Sequence, residues 1–454
     1  MSKRLVILIA LCYAVFFVAI PPFQLNDEPD HFQYIYYLSK GIYPKMPLKS
    51  GFFAYDPSIQ KIYDVVEVAS NDYNLPNFSK IKRAVKQNVS FTTKRGSTPY
   101  TYQVHHPPLY FLSSLLFFLP AQHILKGFIP VYYATRLAST LFYALSVWIA
   151  FLIGLKIVKN KKIAEYLAVA YAINPVTLKM GVAVNPDIAA TCCGLLILLF
   201  FLDLSSQKII SIKSAVLLTL LLTVSVYIKF QNVVFFLFAL IFFLYYGYQR
   251  RKLTYYFSMV SGVVFASLVC LAPWFYHSLT TYGNIIPSYV AYALFCTANL
   301  PAFPWYRIPF ETIFEFRHAI SHFAGFLGWG GPYPFKLFFI FYTLTFLSLF
   351  IVGLISLFRM RQKKWWLYLL GYCGVIWLFF LGVSFTYKIN RYSCDIQGRY
   401  LLATLLPLLL IIWGGLRSIF PRKSDIDAAY GIFLFSVWQY LFILCYVLLP
   451  RYYV

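Results

Sequence analysis

Long apolar runs, each near the length that crosses a bilayer, alternate along almost the whole chain with short polar stretches that concentrate the basic residues. With the clusters Lys3-Arg4, Lys159 to Lys162, Lys208 and Lys213, Arg250 to Lys252, Arg359 to Lys364 and Arg417 to Lys423 as cytoplasmic markers, the runs thread consistently under the positive-inside pattern. Residues 5–23 go out and 131–157 return; 163–182 go out to Asn185-Pro186-Asp187, and 188–207 return. The alternation continues through 212–228, 232–248, 254–275, 336–358, 365–385, 400–416 and 429–449. The expectation is an all-α polytopic membrane protein with about 11 transmembrane helices, the amino terminus cytoplasmic and the carboxyl terminus outside. Two large outer-face segments interrupt it. One, 24–104, is rich in Asn, Asp, Ser and Lys and is amphipathic over 30–39; the other, 276–335, is rich in Pro, Gly, Tyr and His. Residues 107–125 are apolar, but they begin Pro107-Pro108 and are interrupted by Pro120 and His123. Crossing there would put Lys159 to Lys162 outside, so this stretch reads as a re-entrant or surface helix.

Composition agrees with a single integral membrane domain over 1–454. Hydrophobic residues are 60% and charged residues 12% of the chain, about half the charge of a soluble protein, and the mean hydropathy is +0.68. The 39 Tyr, 46 Phe and 9 Trp suit interfacial anchors and wide lipid-facing surfaces. The first run resembles a signal peptide, but no small-x-small cleavage site follows it, which favours a retained anchor. The net charge of +24 would suit a nucleic-acid partner, but its distribution into cytoplasmic clusters removes that need. The 8 cysteines form no CxxC pair, and most lie inside apolar runs, where they act as small hydrophobes. Cys296 and Cys394 fall on outer loops and are open to pairing, subject to geometry. No internal repeat of the transporter kind is visible.

The unusual polar residues gather on one side of this threading. Asp27-Glu28-Pro29-Asp30, followed by His31, stands just past the first run and holds three of the chain's 15 acidic residues. Two readings fit. Carboxylates at a membrane surface bind a metal or take a proton from an attacking hydroxyl. The tetrad is also a helix start, with Asp27 as cap, Glu28 and Asp30 at the positive dipole end and Pro29 fixing the first turn. His105-His106-Pro107-Pro108 close the first outer segment, as ligands or as the entry to a Pro-Pro helix start. Asp187 follows the third run, Lys229 the fifth, and Asp395, Gln397, Gly398 and Arg399 precede the tenth. Ionisable groups at membrane depth are costly and point to function, although Arg399 and Lys229 also suit snorkelling charges. His318 and His322, one helical turn apart, form with Glu315 a set that suits zinc or, more commonly, a solvated helix face.

The motifs Asn26-Asp27-Glu28-Pro29-Asp30-His31-Phe32, His106-Pro107-Pro108-Leu109-Tyr110, Asn185-Pro186-Asp187 and Gln397-Gly398-Arg399-Tyr400-Leu401 carry a resemblance. In order and spacing they are similar to the GT-C superfamily of membrane glycosyltransferases. The match is nearest to a bacterial family of predicted membrane proteins with DEPxHF and QGRY motifs. Protein O-mannosyltransferases, aminoarabinose transferases and the catalytic subunit of oligosaccharyltransferase are more distant. The resemblance implies an outer-face carboxylate after the first span as base or metal ligand, and a polyprenyl-phosphate-linked sugar as donor. It leaves the metal unknown, because no paired acidic motif surrounds Asp187.

On that basis Asp27 and Glu28 are the catalytic candidates. Arg399 is the phosphate ligand, since a guanidinium stays charged and offers two parallel hydrogen bonds, and Lys229 is a second point charge on the departing phosphate. Asp187, Asp30, His31, His106 and Gln397 complete the substrate-binding set. The function expected is sugar transfer from a polyprenyl-phosphate donor to a lipid, glycan or protein acceptor on the non-cytoplasmic face of the cell membrane. The alternatives are a transporter or flippase, or a polymerase or ligase, of lipid-linked saccharides. Against the flippase, charges look absent from span centres, whereas alternating access places its site near the midplane.

Overall fold

The computed structural model describes residues 1–25, 27–46, 56–57, 59–60, 101–207, 209–286, 304–313, 323, 336–357, 364–390, 397–419 and 425–450. Among these, the chain is helical and holds no β-strand. The first helix, α1 (Lys3–Ala19), is followed by α2 (Glu28–Ser39), α3 (Leu109–Ile124), α4 (Phe128–Val158), α5 (Lys161–Ala172) and α6 (Pro175–Val182). Then come α7 (Asp187–Leu204), α8 (Ile212–Ile228), α9 (Val234–Gln249) and α10 (Leu253–Tyr282). The described chain ends with α11 (Lys336–Leu357), α12 (Lys364–Ile389), α13 (Leu405–Ile419) and α14 (Asp425–Phe442). Eight of the described helical stretches are long and apolar enough to cross a membrane. The protein is therefore a multi-pass membrane protein of helical architecture.

Most expected spans appear as helices close to their predicted limits, but the third does not. Residues 163–182 form two helices, α5 and α6, parted at Ile173-Asn174. Asn174 caps α6, its side chain accepting from the Val176 N–H at 3.0 Å, and Pro175 occupies the first turn, where its missing N–H costs nothing. At 12 and 8 residues, neither piece is long enough to span alone. The tenth span also begins irregularly, as a 3-10 helix over Gly398–Thr404 that runs into α13. The 107–125 stretch is a 16-residue helix, α3, which packs on α2 and α4.

Two apolar clusters organise the described interior. The larger runs from α1 through α7 to α14, and the smaller gathers Phe23, Phe32, Tyr34, Tyr110, Phe111 and Phe128 around α2 and α3. The start of α7 lies on their seam: Ile188 and Cys192 belong to the first, Ala189 and Ala190 to the second. Asp187 opens α7 and is thereby fixed from both sides. Tyr110 ties the layers further, its hydroxyl 2.7 Å from that of Ser139 on α4.

Candidate functional site

Four charged residues from four distant parts of the chain meet at this seam. Asp27 ends the loop after α1, Asp187 is the first residue of α7, Lys229 follows α8, and Arg399 stands in the 3-10 turn before α13. That turn packs on α6, α7 and α12, which brings Arg399 down onto the start of α7. Its Nη2 donates to Asp27 Oδ2 at 2.5 Å, and its Nε lies 3.3 Å from Asp187 Oδ2. Lys229 Nζ closes the chain by pairing with Asp187 Oδ1. Tyr400 lines both cations, with Lys229 Nζ 4.7 Å and the Arg399 guanidinium carbon 5.3 Å from its ring centroid, distances at which cation–π attraction operates. The two carboxylates balance the two cations, which is how such charges persist when buried.

Asp27 occupies the cap position of α2 without capping it. Its backbone is left-handed, φ 59° and ψ 9°, and its side chain makes no cap hydrogen bond. Asp and Asn tolerate that conformation better than other non-glycine residues. The helix-start reading therefore holds for Pro29, Glu28 and Asp30 but fails for the Asp27 side chain, which the turn aims at Arg399 instead. Asp27 is the most accessible member of the cluster, its side chain 14% exposed against 6% for Arg399 and 2% for Asp187.

Glu28 points elsewhere. Its carboxylate is fully buried and accepts the backbone N–H of Leu25 at 3.1 Å and of Val184 at 3.0 Å, with Arg136 Nη2 at 3.5 Å. Both its oxygens are thus engaged by backbone N–H groups and Arg136 rather than by Lys229 or Arg399, which speaks against Glu28 as the base. Arg136 itself was missed in the sequence. It lies in the first third of α4 and is fully buried.

Beside the cluster lie three buried imidazoles. His31 and His106 have ring centroids 6.3 Å apart, and His105 and His106 3.9 Å. His105 Nδ1 meets the Tyr102 carbonyl at 2.7 Å, whereas Nδ1 of His31 and of His106 has no partner among the described residues. Burial holds His31 and His106 well below the ordinary imidazole range, with Arg399 and Lys229 pushing the same way. Burial also takes His105 down to about 4. Near neutral pH all three are uncharged. Asp30 is buried, and its carbonyl accepts from Thr101 Oγ1 at 3.3 Å. Gln397 precedes the 3-10 turn and accepts the Tyr400 N–H at 3.0 Å.

A narrow, partly open cleft adjoins the cluster. Asp187, Lys229, Arg399 and Tyr400 line it together with the polar Thr191, Gln231 and Asn232 and the apolar Phe235, Ile376, Phe380 and Ala403. Arg399 Nη1 is buried and has no partner among the described residues, so within them the guanidinium has hydrogen-bonding capacity to spare. Among the described residues no group of three His, Cys, Asp or Glu side chains is arranged to hold a metal ion. Asp395, Glu315, His318, His322, Cys296 and Cys394 lie outside the described residues.

The family model for "Predicted membrane protein (DUF2142)" matches residues 10–411. The chain belongs to that family. No curated protein sequence matches it. Among solved structures it is similar to ArnT from Cupriavidus metallidurans bound to undecaprenyl phosphate, at a TM-score of 0.50 and 12% identity over 96% of this chain and 63% of that one. The apo form of the same protein gives 0.48 and 14%, over 94% and 62%. The chain thus spans less than two thirds of the length of these neighbours. What it shares with the lipid-bound ArnT is the fold.

Proposed function

We propose that the protein is a GT-C-type membrane glycosyltransferase that moves a sugar from a polyprenyl-phosphate donor to a hydroxyl or amine of a lipid, glycan or protein acceptor. The observation that carries this reading is the convergence of Asp27, Asp187, Lys229 and Arg399 in one ion-pair cluster, three of whose members line a cleft that also carries Phe235, Ile376 and Phe380. A phosphate on an apolar chain needs that pairing of fixed cations with a greasy wall. The fold likeness to an ArnT solved with undecaprenyl phosphate favours the same donor class. The basic clusters, taken as cytoplasmic, put this site on the non-cytoplasmic face.

In this scheme the donor phosphate docks on Nη1 of Arg399, which has no partner among the described residues, and on Lys229. Asp187 holds both cations in place through its two oxygens. Asp27, the most accessible member of the cluster, takes the acceptor's proton as the acceptor oxygen or nitrogen bonds to the anomeric carbon. The bond from that carbon to the phosphate oxygen breaks, and its electron pair leaves with the polyprenyl phosphate. His31, His106, Asp30 and Gln397 border the acceptor, the neutral imidazoles offering hydrogen bonds without repelling a cationic or neutral group. Purified Asp27→Asn protein should fold, because Asn tolerates the same backbone, and should lose about 10²–10⁴-fold in turnover with a polyprenyl-phosphate sugar. Undiminished transfer by that variant contradicts the assignment.

A further inference from the structure

We infer that Glu28 and Arg136 are the positioning pair of this site, setting the two carboxylates at the required separation without touching substrate; the inference rests on the reading of Asp27 and Asp187 given above. Arg136 Nη1 donates to the carbonyls of Phe17 at 3.3 Å and Ile20 at 2.7 Å, and Nη2 to that of Pro21 at 3.1 Å. These carbonyls belong to the end of α1 and the loop after it, where helical partners have run out. The same Nη2 reaches Glu28 Oε1 at 3.5 Å and the Tyr132 hydroxyl at 3.2 Å. Tyr132 Oη in turn accepts the Phe23 N–H at 3.3 Å.

Glu28 then joins two loops that are far apart in sequence. Its Oε2 holds Leu25 N–H, two residues before Asp27, and its Oε1 holds Val184 N–H, three residues before Asp187. Asp27 and Asp187 are the two carboxylates that grip Arg399. One buried ion pair on the rigid body of α4 thereby fixes the loop carrying each of them. Both partners are 0% exposed, and a lone buried charge is strongly disfavoured. Burying an ion pair adds little net stability, so the value of this one is assigned to the geometry it imposes.

Glu28→Gln is nearly isosteric, but its amide presents a donor to one of the two backbone N–H groups, so one loop must come loose. Full-length protein in lipid nanodiscs should show faster amide exchange at 20–28 and 183–187, with α7 beyond its first turn and α9 unchanged. Turnover should fall by roughly 10²-fold, the cost of an ångström of misplacement, while KM for the acceptor changes little. Arg136→Lys, which keeps the charge but reaches fewer carbonyls, should give the same pattern more weakly and serves if Glu28→Gln does not fold. Unchanged exchange in both loops overturns the inference whatever the activity. Loosened loops with full turnover also overturn it, leaving the pair a stability element only. Wild-type protein that neither binds a polyprenyl phosphate nor transfers sugar defeats the functional reading, and the exchange result then still decides whether the pair sets the loops.

Discussion

Arg399 has one guanidinium and several claimants. In this structure Asp27 takes Nη2 and Asp187 faces Nε, leaving Nη1 for an incoming anion. Asp27 and a donor phosphate therefore compete for one cation, and Asp27→Asn should bind a polyprenyl phosphate more tightly, by roughly tenfold if one charge-assisted bond is relieved. Isothermal or fluorescence titration with the lipid phosphate reads this directly; weaker binding by the variant contradicts the competition. Arg399→Lys keeps a charge but loses the fork, which should weaken the same binding by about 1–3 kcal/mol. The imidazoles give a pH prediction. His105 is held near 4 by burial, and His31 and His106 are also lowered. For a base depressed on folding, stability is whole above its ordinary value of 6.5 and is lost as pH falls through the folded value. The melting temperature should thus decline between about pH 6.5 and pH 4, and less steeply in His106→Gln; identical slopes would contradict neutral burial. Asp27, Asp187, Lys229 and Arg399 were legible in the sequence because ionisable groups at the ends of apolar runs stand out. The role of Glu28 was not, because its partners are backbone N–H groups and an arginine 108 residues away.

At the level of elements, apolar length alone does not reveal a break when both pieces stay buried. Residues 163–182 have the length of a span, yet the Asn174-Pro175 dipeptide, a recognised turn signal, divides them into α5 and α6. Asn174 also donates to the Phe323 carbonyl at 3.2 Å and to Gln439 Oε1 at 3.4 Å. Asn174→Ala removes the cap and leaves those acceptors short, so it should destabilise by about 1–3 kcal/mol; a melting temperature equal to wild type would show the break does not depend on it. The close crossing of α11 and α13 was likewise invisible, because it depends on two glycines 62 residues apart. A Cβ at Gly415 would lie 2.4 Å from Gly353 Cα, and one at Gly353 would lie 2.7 Å from the Ile411 carbonyl oxygen. Backbone cannot yield there, and Gly415→Ala should cost about 1–3 kcal/mol through forced separation of the helices, measurable by thermal unfolding in detergent.

Across the whole molecule, hydropathy and basic clusters foresaw a multi-pass helical body, and eight long apolar helices bear out its class. The side on which the site opens follows from charge bias alone. External labelling of introduced cysteines should reach the 24–104 segment and spare 159–162, and the reverse would turn the site to the cytoplasm. In the proposed function the chemistry comes from two cations held by two carboxylates beside a partly apolar cleft. Equilibrium binding of a polyprenyl phosphate to purified wild-type and Arg399→Ala protein in nanodiscs tests this most directly. Saturable binding by the wild type, weakened at least about tenfold by loss of the charge-assisted contact, is the expected result. Equal binding by the two proteins, or none by the wild type, would contradict a lipid-phosphate site at Arg399.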